Sequence, residues 1–259
     1  MSLVQTILYY TPTLYLGIAL VAMSVLLSVG GLLLVHRYIP HQKLKVHHDI
    51  AGAIFGTLGM AYTVLIAFVV VVAWQGFDKA SLNTEMEANF LTDLMRDSGA
   101  LSRPFAQQVR ALVDDYVKAV VNEEWKTIAQ GKPSAHVQDV VNKLGTLYSS
   151  YAPATVTEEV FFRESVHKLN ELSELRRQRL VDAKSGLHPV LWFVLIIGGI
   201  GTIVFTFFFG AEDVRAQILM TSILAALIAL ILLTIMVFDF PFTGDVNVSP
   251  DAFTQMIKY

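Results

Sequence analysis

Cysteine is absent from the 259-residue chain, which excludes disulfides, thiolate metal sites and cysteine nucleophiles and leaves the redox compartment unread. Charge is scarce: 16% of residues are Asp, Glu, Lys or Arg against 54% apolar, far from the usage of a soluble globular protein. The charge present has no basic excess, since 19 basic and 22 acidic residues leave a net −3, whereas a surface that holds nucleic acid needs a clear positive balance. No nucleic-acid partner is expected. The signatures H-E-x-x-H, G-x-S-x-G, G-x-x-x-x-G-K-[ST] and G-x-G-x-x-G are all missing, so no catalytic residue, metal or cofactor is assigned and the protein does not read as an enzyme.

Near the N-terminus the first ionised side chain after the amino group is Arg37, so the charged leader of a signal peptide is lacking and the first apolar run reads as a retained span. A bilayer core of roughly 30 Å takes about 20 helical residues, and a chain inside it must satisfy its backbone groups internally. Four segments meet that requirement, approximately 14–35, 50–74, 189–209 and 216–238. The first two are joined by "HRYIPHQKLKVHHD" and the last two by "GAEDVR", which predicts two tight transmembrane hairpins. Tyr9, Tyr10, Tyr15, Trp74 and Trp192 stand where an aromatic belt would hold them.

Between the hairpins the periodicity stays helical while the composition turns polar. Phe105, Val109, Leu112, Val113, Tyr116, Val117, Val120, Trp125 and Ile128 form one apolar stripe, opened by Ser102 as N-cap with Pro104 in the first turn and stopped at Gly131. Val137, Val140, Val141, Leu144, Leu147, Tyr148 and Tyr151 form a second, ending before Pro153. A third helix is expected after Thr157, with Glu158 and Glu159 in its first turn, running toward the third span. The expected architecture is all-α: an integral membrane protein with four transmembrane helices in two hairpins and an extramembrane helical bundle inserted between the second and third spans. Its segments are a first hairpin (1–77), the helical region (78–188), a second hairpin (189–238) and an extended C-terminal tail (239–259), where Pro241 and Gly244 end the last helix. Arg37, Lys43, Lys45 and Arg215 gather on one side, and Lys79, Arg176, Arg177, Arg179, Lys184 and Lys258 on the other. That excess points the middle region and both termini to the cytoplasm of a bacterial inner membrane.

The second span raises the sharpest question, because from Ile50 to Phe77 it holds no charged side chain yet carries Gly52, Gly56, Gly59, Thr63 and Ala67 at steps of four, three, four and four. These small residues read as a helix-packing seam, Gly52 and Gly56 forming a G-x-x-x-G pair. Phe55, Leu58, Tyr62 and Ile66 are the candidates for a hydrophobic constriction lining a pore. Arg176, Arg177, Arg179 and Lys184, just before the third span, read either as a headgroup anchor or, in an oligomer, as a ring of cations drawing anions to a vestibule. The histidines His36, His41, His47 and His48 with Asp49 match no metal spacing, and Asp49 serves as an N-cap. His36 and His188 lie at span ends, which argues against axial haem ligation. The adjacent acids Asp114 with Asp115 and Glu123 with Glu124 read as solvated faces.

Three blocks, "HHDIAGAIFGTLGMAYTVLIAFVVVVAWQGFDKA", "RRQRLVDAKSGLHPVLW" and "DFPFTG", resemble the bestrophin-like domain family of bacterial and plastid membrane proteins, and the likeness covers nearly the whole chain. The family's name expresses similarity to bestrophins, oligomeric anion channels with four membrane helices per subunit and a helical region between the second and third. By analogy the resemblance implies a homo-oligomer, a pentamer, whose second spans surround the pore. Bestrophins bind calcium through an acidic cluster that has no matching run here, so calcium regulation is not implied. The expected function is an oligomeric ion channel in contact with lipid and inorganic ions, anions favoured. The alternative is a non-conducting sensor or assembly scaffold whose middle region binds a partner.

Overall fold

The computed structural model describes residues 3–38, 48–184, 186–208 and 213–257. His41, Lys43, Lys45, His47 and Lys258 lie outside them, as do the side chains of His48 and Asp49. Among the described residues every regular element is helical. In chain order they are α1 (Leu3–Tyr10), α2 (Thr13–Tyr38), α3 (His48–Ser98), α4 (Arg103–Ala119), a π turn (Val120–Glu124), α5 (Trp125–Ile128), α6 (Ala135–Ser149), α7 (Val156–Asp182), α8 (Pro189–Thr206), α9 (Val214–Phe238) and α10 (Asp251–Ile257). Four of them, α2, α3, α8 and α9, are long and apolar enough to cross a membrane. The chain packs into two compact units, one of Tyr10–Gln75 and Gly186–Asp239, the other of Met1–Tyr9, Gly76–Ser185 and Phe240–Tyr259.

The apolar unit is held by small residues and local polar contacts, as expected where lipid removes the hydrophobic drive between helices. Ser24 Oγ on α2 donates to the Ala225 carbonyl on α9 at 3.1 Å. On α8 the Gly198–Gly199 pair makes room for the ring of Tyr62: a Cβ added at Gly198 would lie 2.6 Å from that ring. The Tyr62 hydroxyl donates to the Leu195 carbonyl at 2.8 Å. Around it Ile66, Val69, Ala73, Leu195, Ile228 and Ile235 close a buried cluster. Where α9 ends, the Asp239 carboxylate accepts the Leu187 N–H at 2.5 Å and Trp192 Nε1–H at 3.2 Å. It lies against Gly186, where a Cβ would come within 2.9 Å of Oδ2. The aspartate of "DFPFTG" thus ties the lead into α8 to the end of α9. His188 is no ligand: its Nδ1 accepts the Val190 N–H at 3.3 Å and caps α8.

In the polar unit both apolar stripes of the middle region are buried face to face. Phe105, Val109, Val113, Tyr116 and Val117 of α4 meet Val137, Val140, Leu144 and Tyr148 of α6, with Leu91 and Leu94 of α3 and Leu172 of α7 closing the core. Details at the ends differ from expectation. Ser102 precedes α4 but makes no side-chain cap; its N–H donates to the Tyr151 hydroxyl. α7 starts two residues early, because Thr155 rather than Thr157 caps it, accepting the Glu158 N–H. The tail is not extended throughout: Pro250 and Asp251 open α10, whose Phe253 is fully buried in the core. A short N-terminal helix, α1, was not anticipated; Gln5 anchors it by donating to the Ala183 carbonyl at 3.0 Å.

Candidate functional site

Two features concentrate the chemistry. One is the face of α3 that the subunit leaves uncovered. In the apolar part of α3, Gly56, Met60, Thr63, Val64, Ala67 and Val71 are exposed, and a Cβ added at Gly56 or Gly59 would meet nothing within 4 Å. The same helical steps lead on to Glu85, Asn89, Thr92 and Arg96, which are exposed in the polar unit. Within one chain, then, no neighbouring helix packs on Gly56 or Gly59. Gly52 is half-buried and Thr63 is exposed.

The aromatic and aliphatic positions expected to form a constriction do not share that face. Tyr62 and Ile66 are buried in the subunit's own core, and Phe55 stacks on Phe205 with ring centroids 5.6 Å apart. Leu58 is exposed, about a third of a turn or more from the Gly56–Thr63 register. The reason is volume and hydrogen bonding. Tyr62 finds both a glycine cleft and a free carbonyl on α8, so the side chains that looked suited to a gate are spent on folding. The bulky exposed side chains of the open face are instead Met60, Val64, Phe68 and Val71. The three-and-four spacing alone could not separate the two faces, because both sides of α3 are apolar.

The second feature is an ion network inside the polar unit. Arg179 of α7 is fully buried; its Nε donates to Glu87 Oε2 at 2.8 Å and its Nη2 to Glu87 Oε1 and Glu124 Oε2, each at 3.0 Å. Arg176, one turn earlier, donates to Glu124 at 2.7 and 3.2 Å and to Gln138 Oε1 at 2.7 Å. The Tyr116 hydroxyl donates to Glu87 Oε1 at 2.6 Å. Trp125 and Phe253 lie beside the Arg179 guanidinium, their ring centroids 5.2 and 5.9 Å from Cζ.

Burial opposes charge throughout this cluster. At Arg179 it is outweighed by Glu87 above all, with Tyr116 and Glu124, so the guanidinium is held charged beyond its ordinary range. Burial also raises the Glu124 carboxyl, but the hydrogen bond from Arg176 and the charges of Arg179 and Arg176 pull it below the usual carboxylate range. Burial, then Glu87, pushes Tyr116 well up, so it stays a donor.

Two expectations are corrected here. Arg176 and Arg179 do not face a vestibule, since they are consumed in buried pairs; Arg177, paired on the surface with Glu174, and Lys184 are the exposed members of that set. Nor are Glu123 and Glu124 alike: Glu123 is exposed, whereas Glu124 is fully buried. The π turn at Val120–Glu124 is the cause. Its extra residue shifts the register of the helix and carries Glu124 inward to the arginines. No sequence period marks that insertion.

A groove of about 1040 Å³ runs in the polar unit between α3, α4 and the tail, lined by Glu85, Asn89, Arg96, Arg110, Lys118 and Asp251 among others. Among the described residues no group of three or more His, Asp or Glu side chains is arranged to hold a metal ion.

Comparison with known proteins follows this geometry. Among curated proteins none matches the chain by sequence. Among solved structures, a variant of a bacterial Bestrophin homolog from Klebsiella pneumoniae aligns with a TM-score of 0.70 at 15% identity, covering 92% of this chain and 96% of that one. A second variant of that protein gives 0.67 at 15% identity over 96% and 97% of the two chains. A further Klebsiella pneumoniae Bestrophin homolog structure gives 0.68 at 13% identity over 92% and 95%. At that identity the likeness is one of fold, and it spans both units. The Bestrophin-like domain family model matches residues 22–253, from within α2 to α10, and the chain belongs to that family.

Proposed function

We propose that the protein is a homo-oligomeric membrane ion channel in which the uncovered face of α3 lines the path. The observation that carries this reading is that face itself. It is small and apolar at Gly56, Thr63 and Ala67, bulky and apolar at Met60, Val64 and Val71, and polar at Glu85, Asn89, Thr92 and Arg96. A helix side covered only by lipid has no use for a glycine-rich strip that leads into a polar one, whereas copies of α3 around an axis give the apolar part a role as a neck that gates by dewetting. The neck falls to Met60, Val64 and Val71, with Gly56, Gly59 and Thr63 setting how closely neighbouring copies approach.

Anion passage is the selectivity that family resemblance supports. With Arg176 and Arg179 spent in buried pairs, its electrostatic support reduces to Arg177 and Lys184, while the α3 face carries Asp78, Glu85 and Arg96. Purified protein in liposomes tests the reading. Flux is expected from wild type and increased flux from Val64→Ala and Met60→Ala, and reversal potentials in a salt gradient report the permeant ion. No flux from any variant at any voltage would refute it.

The competing reading, a scaffold that binds a partner without conducting, is favoured by the groove beside Glu85, Arg96 and Arg110. It predicts a binding partner and no flux. Orientation in a bacterial inner membrane, middle region inward, is testable because the chain lacks cysteine: Asn170→Cys on the exposed side of α7 should resist a membrane-impermeant thiol reagent added outside.

A further inference from the structure

His136 stands in the first turn of α6 with a carboxylate on each ring nitrogen. Glu123 Oε1 lies 2.9 Å from Nδ1 and Asp115 Oδ1 lies 3.4 Å from Nε2. Only an imidazolium donates from both nitrogens; the neutral ring keeps one N–H and turns a lone pair toward the other carboxylate. The contact therefore closes fully only when the ring is charged. It gathers three elements: α4 through Asp115, the π turn through Glu123, and α6 through His136 itself. The carboxylates oppose one another across the ring, so they form a clamp on the histidine and no shared metal pocket.

The clamp abuts the buried network. Ser134, the N-cap of α6, donates from Oγ to Glu123 Oε2 and from its backbone N–H to Glu124 Oε1, both at 3.2 Å. Glu124 is the carboxylate that Arg176 and Arg179 share. The other charges around the ring are Lys143 and Asp139, paired with each other at 2.7 Å on α6, Lys143 also sensing Asp115. From α7, Arg176 reaches Gln138 on the same helix.

We propose that His136 is a pH-operated clamp that seats the start of α6 on the π turn, and through Ser134 and Glu124 holds the arginine pair of α7 in register. Glu123, by its hydrogen bond first, with Asp115 adding, raises the His136 pKa above its ordinary 6.5. A raised folded-state pKa means that the clamp's contribution is complete below about pH 6.5 and is lost as pH climbs through the higher value. The clamp is exposed, so salt weakens it as well. Its structural action stands independently of conduction; any effect on flux rests on the channel reading.

Hydrogen exchange of the full-length protein in nanodiscs, corrected for intrinsic rates, tests the clamp between about pH 6 and about pH 9. The amides of residues 134–138 are expected to exchange several-fold faster at the alkaline end in wild type. In His136→Gln this step should vanish, and in Glu123→Gln it should shift to lower pH. Unchanged protection across that range in wild type, or a step that survives in His136→Gln, overturns the proposal. Flux measured in parallel on the same proteins separates the two readings: silence at every pH counts against the channel while leaving the exchange result to decide the clamp.

Discussion

Arg177 and Arg179 stand two residues apart on α7, yet the structure gives them opposite surroundings. The Arg177 side chain is 72% exposed and that of Arg179 is 0% exposed. Replacing Arg179 with Met removes three charge-assisted hydrogen bonds, at 2.8, 3.0 and 3.0 Å. It leaves Glu87 buried with only the Tyr116 hydroxyl as a bonded partner, while Glu124 keeps Arg176. Breaking a buried pair from one side costs about 3–5 kcal/mol, because a charge is stranded, while truncating an exposed pair costs about 0–1 kcal/mol. Against a domain stability of about 5–15 kcal/mol, Arg179→Met should lower the thermal midpoint of the detergent-solubilised protein by on the order of 10 °C, and Arg177→Met by far less. Adding Glu87→Leu to Arg179→Met should recover part of the loss, since the stranded charge is then gone. If Arg179→Met melts within a degree or two of Arg177→Met, the network does not hold the fold and the reasoning from burial fails.

Other outcomes follow from single contacts. Tyr62→Phe loses one hydrogen bond, worth about 1 kcal/mol in a thermal melt, and should leave ion flux far less altered than Val64→Ala does. Gly198→Ala places a methyl 2.6 Å from the Tyr62 ring and should cost about 1–3 kcal/mol by overpacking, whereas Gly56→Ala, with no neighbour within 4 Å, should cost a single subunit little. Because the Glu124 pKa is lowered in the folded state, its share of stability is present above about pH 4.5 and is lost as pH falls through the depressed value; Glu124→Gln should flatten that acid limb in melts recorded against pH.

The four spans and the helical middle region were legible because hydrophobic length and period are properties of consecutive residues. The stripe from Phe105 to Val117 could be read as a buried face for the same reason, and it is one. What stayed hidden depends on residues far apart in the chain. Whether Tyr62 lines an opening or fills a cleft is decided by Gly198 and Gly199, more than 130 positions later. Whether Arg179 meets water or Glu87 is decided 92 positions away. Basic residues before a membrane span are ordinarily anchors, and only the acids facing them from α3 and the π turn turn two of these four into core groups. The uncovered face of α3 was visible as a row of small residues, but its bulky members Met60 and Val64 were indistinguishable from the packed ones until α8 covered the other side.

The π turn has a consequence for how this chain tolerates insertions and deletions. A residue removed from Val120–Glu124 would restore plain α-helical winding, and everything from Trp125 to Ile128 would swing by about 100° around the helix axis. Trp125 would leave the carbonyl of Val248 and the face of Arg179, to which it is now fitted. A one-residue shortening in this short segment should therefore harm the protein more than most point changes do, and a compensating one-residue insertion a few positions downstream should rescue it only if the indole returns to its present bearing.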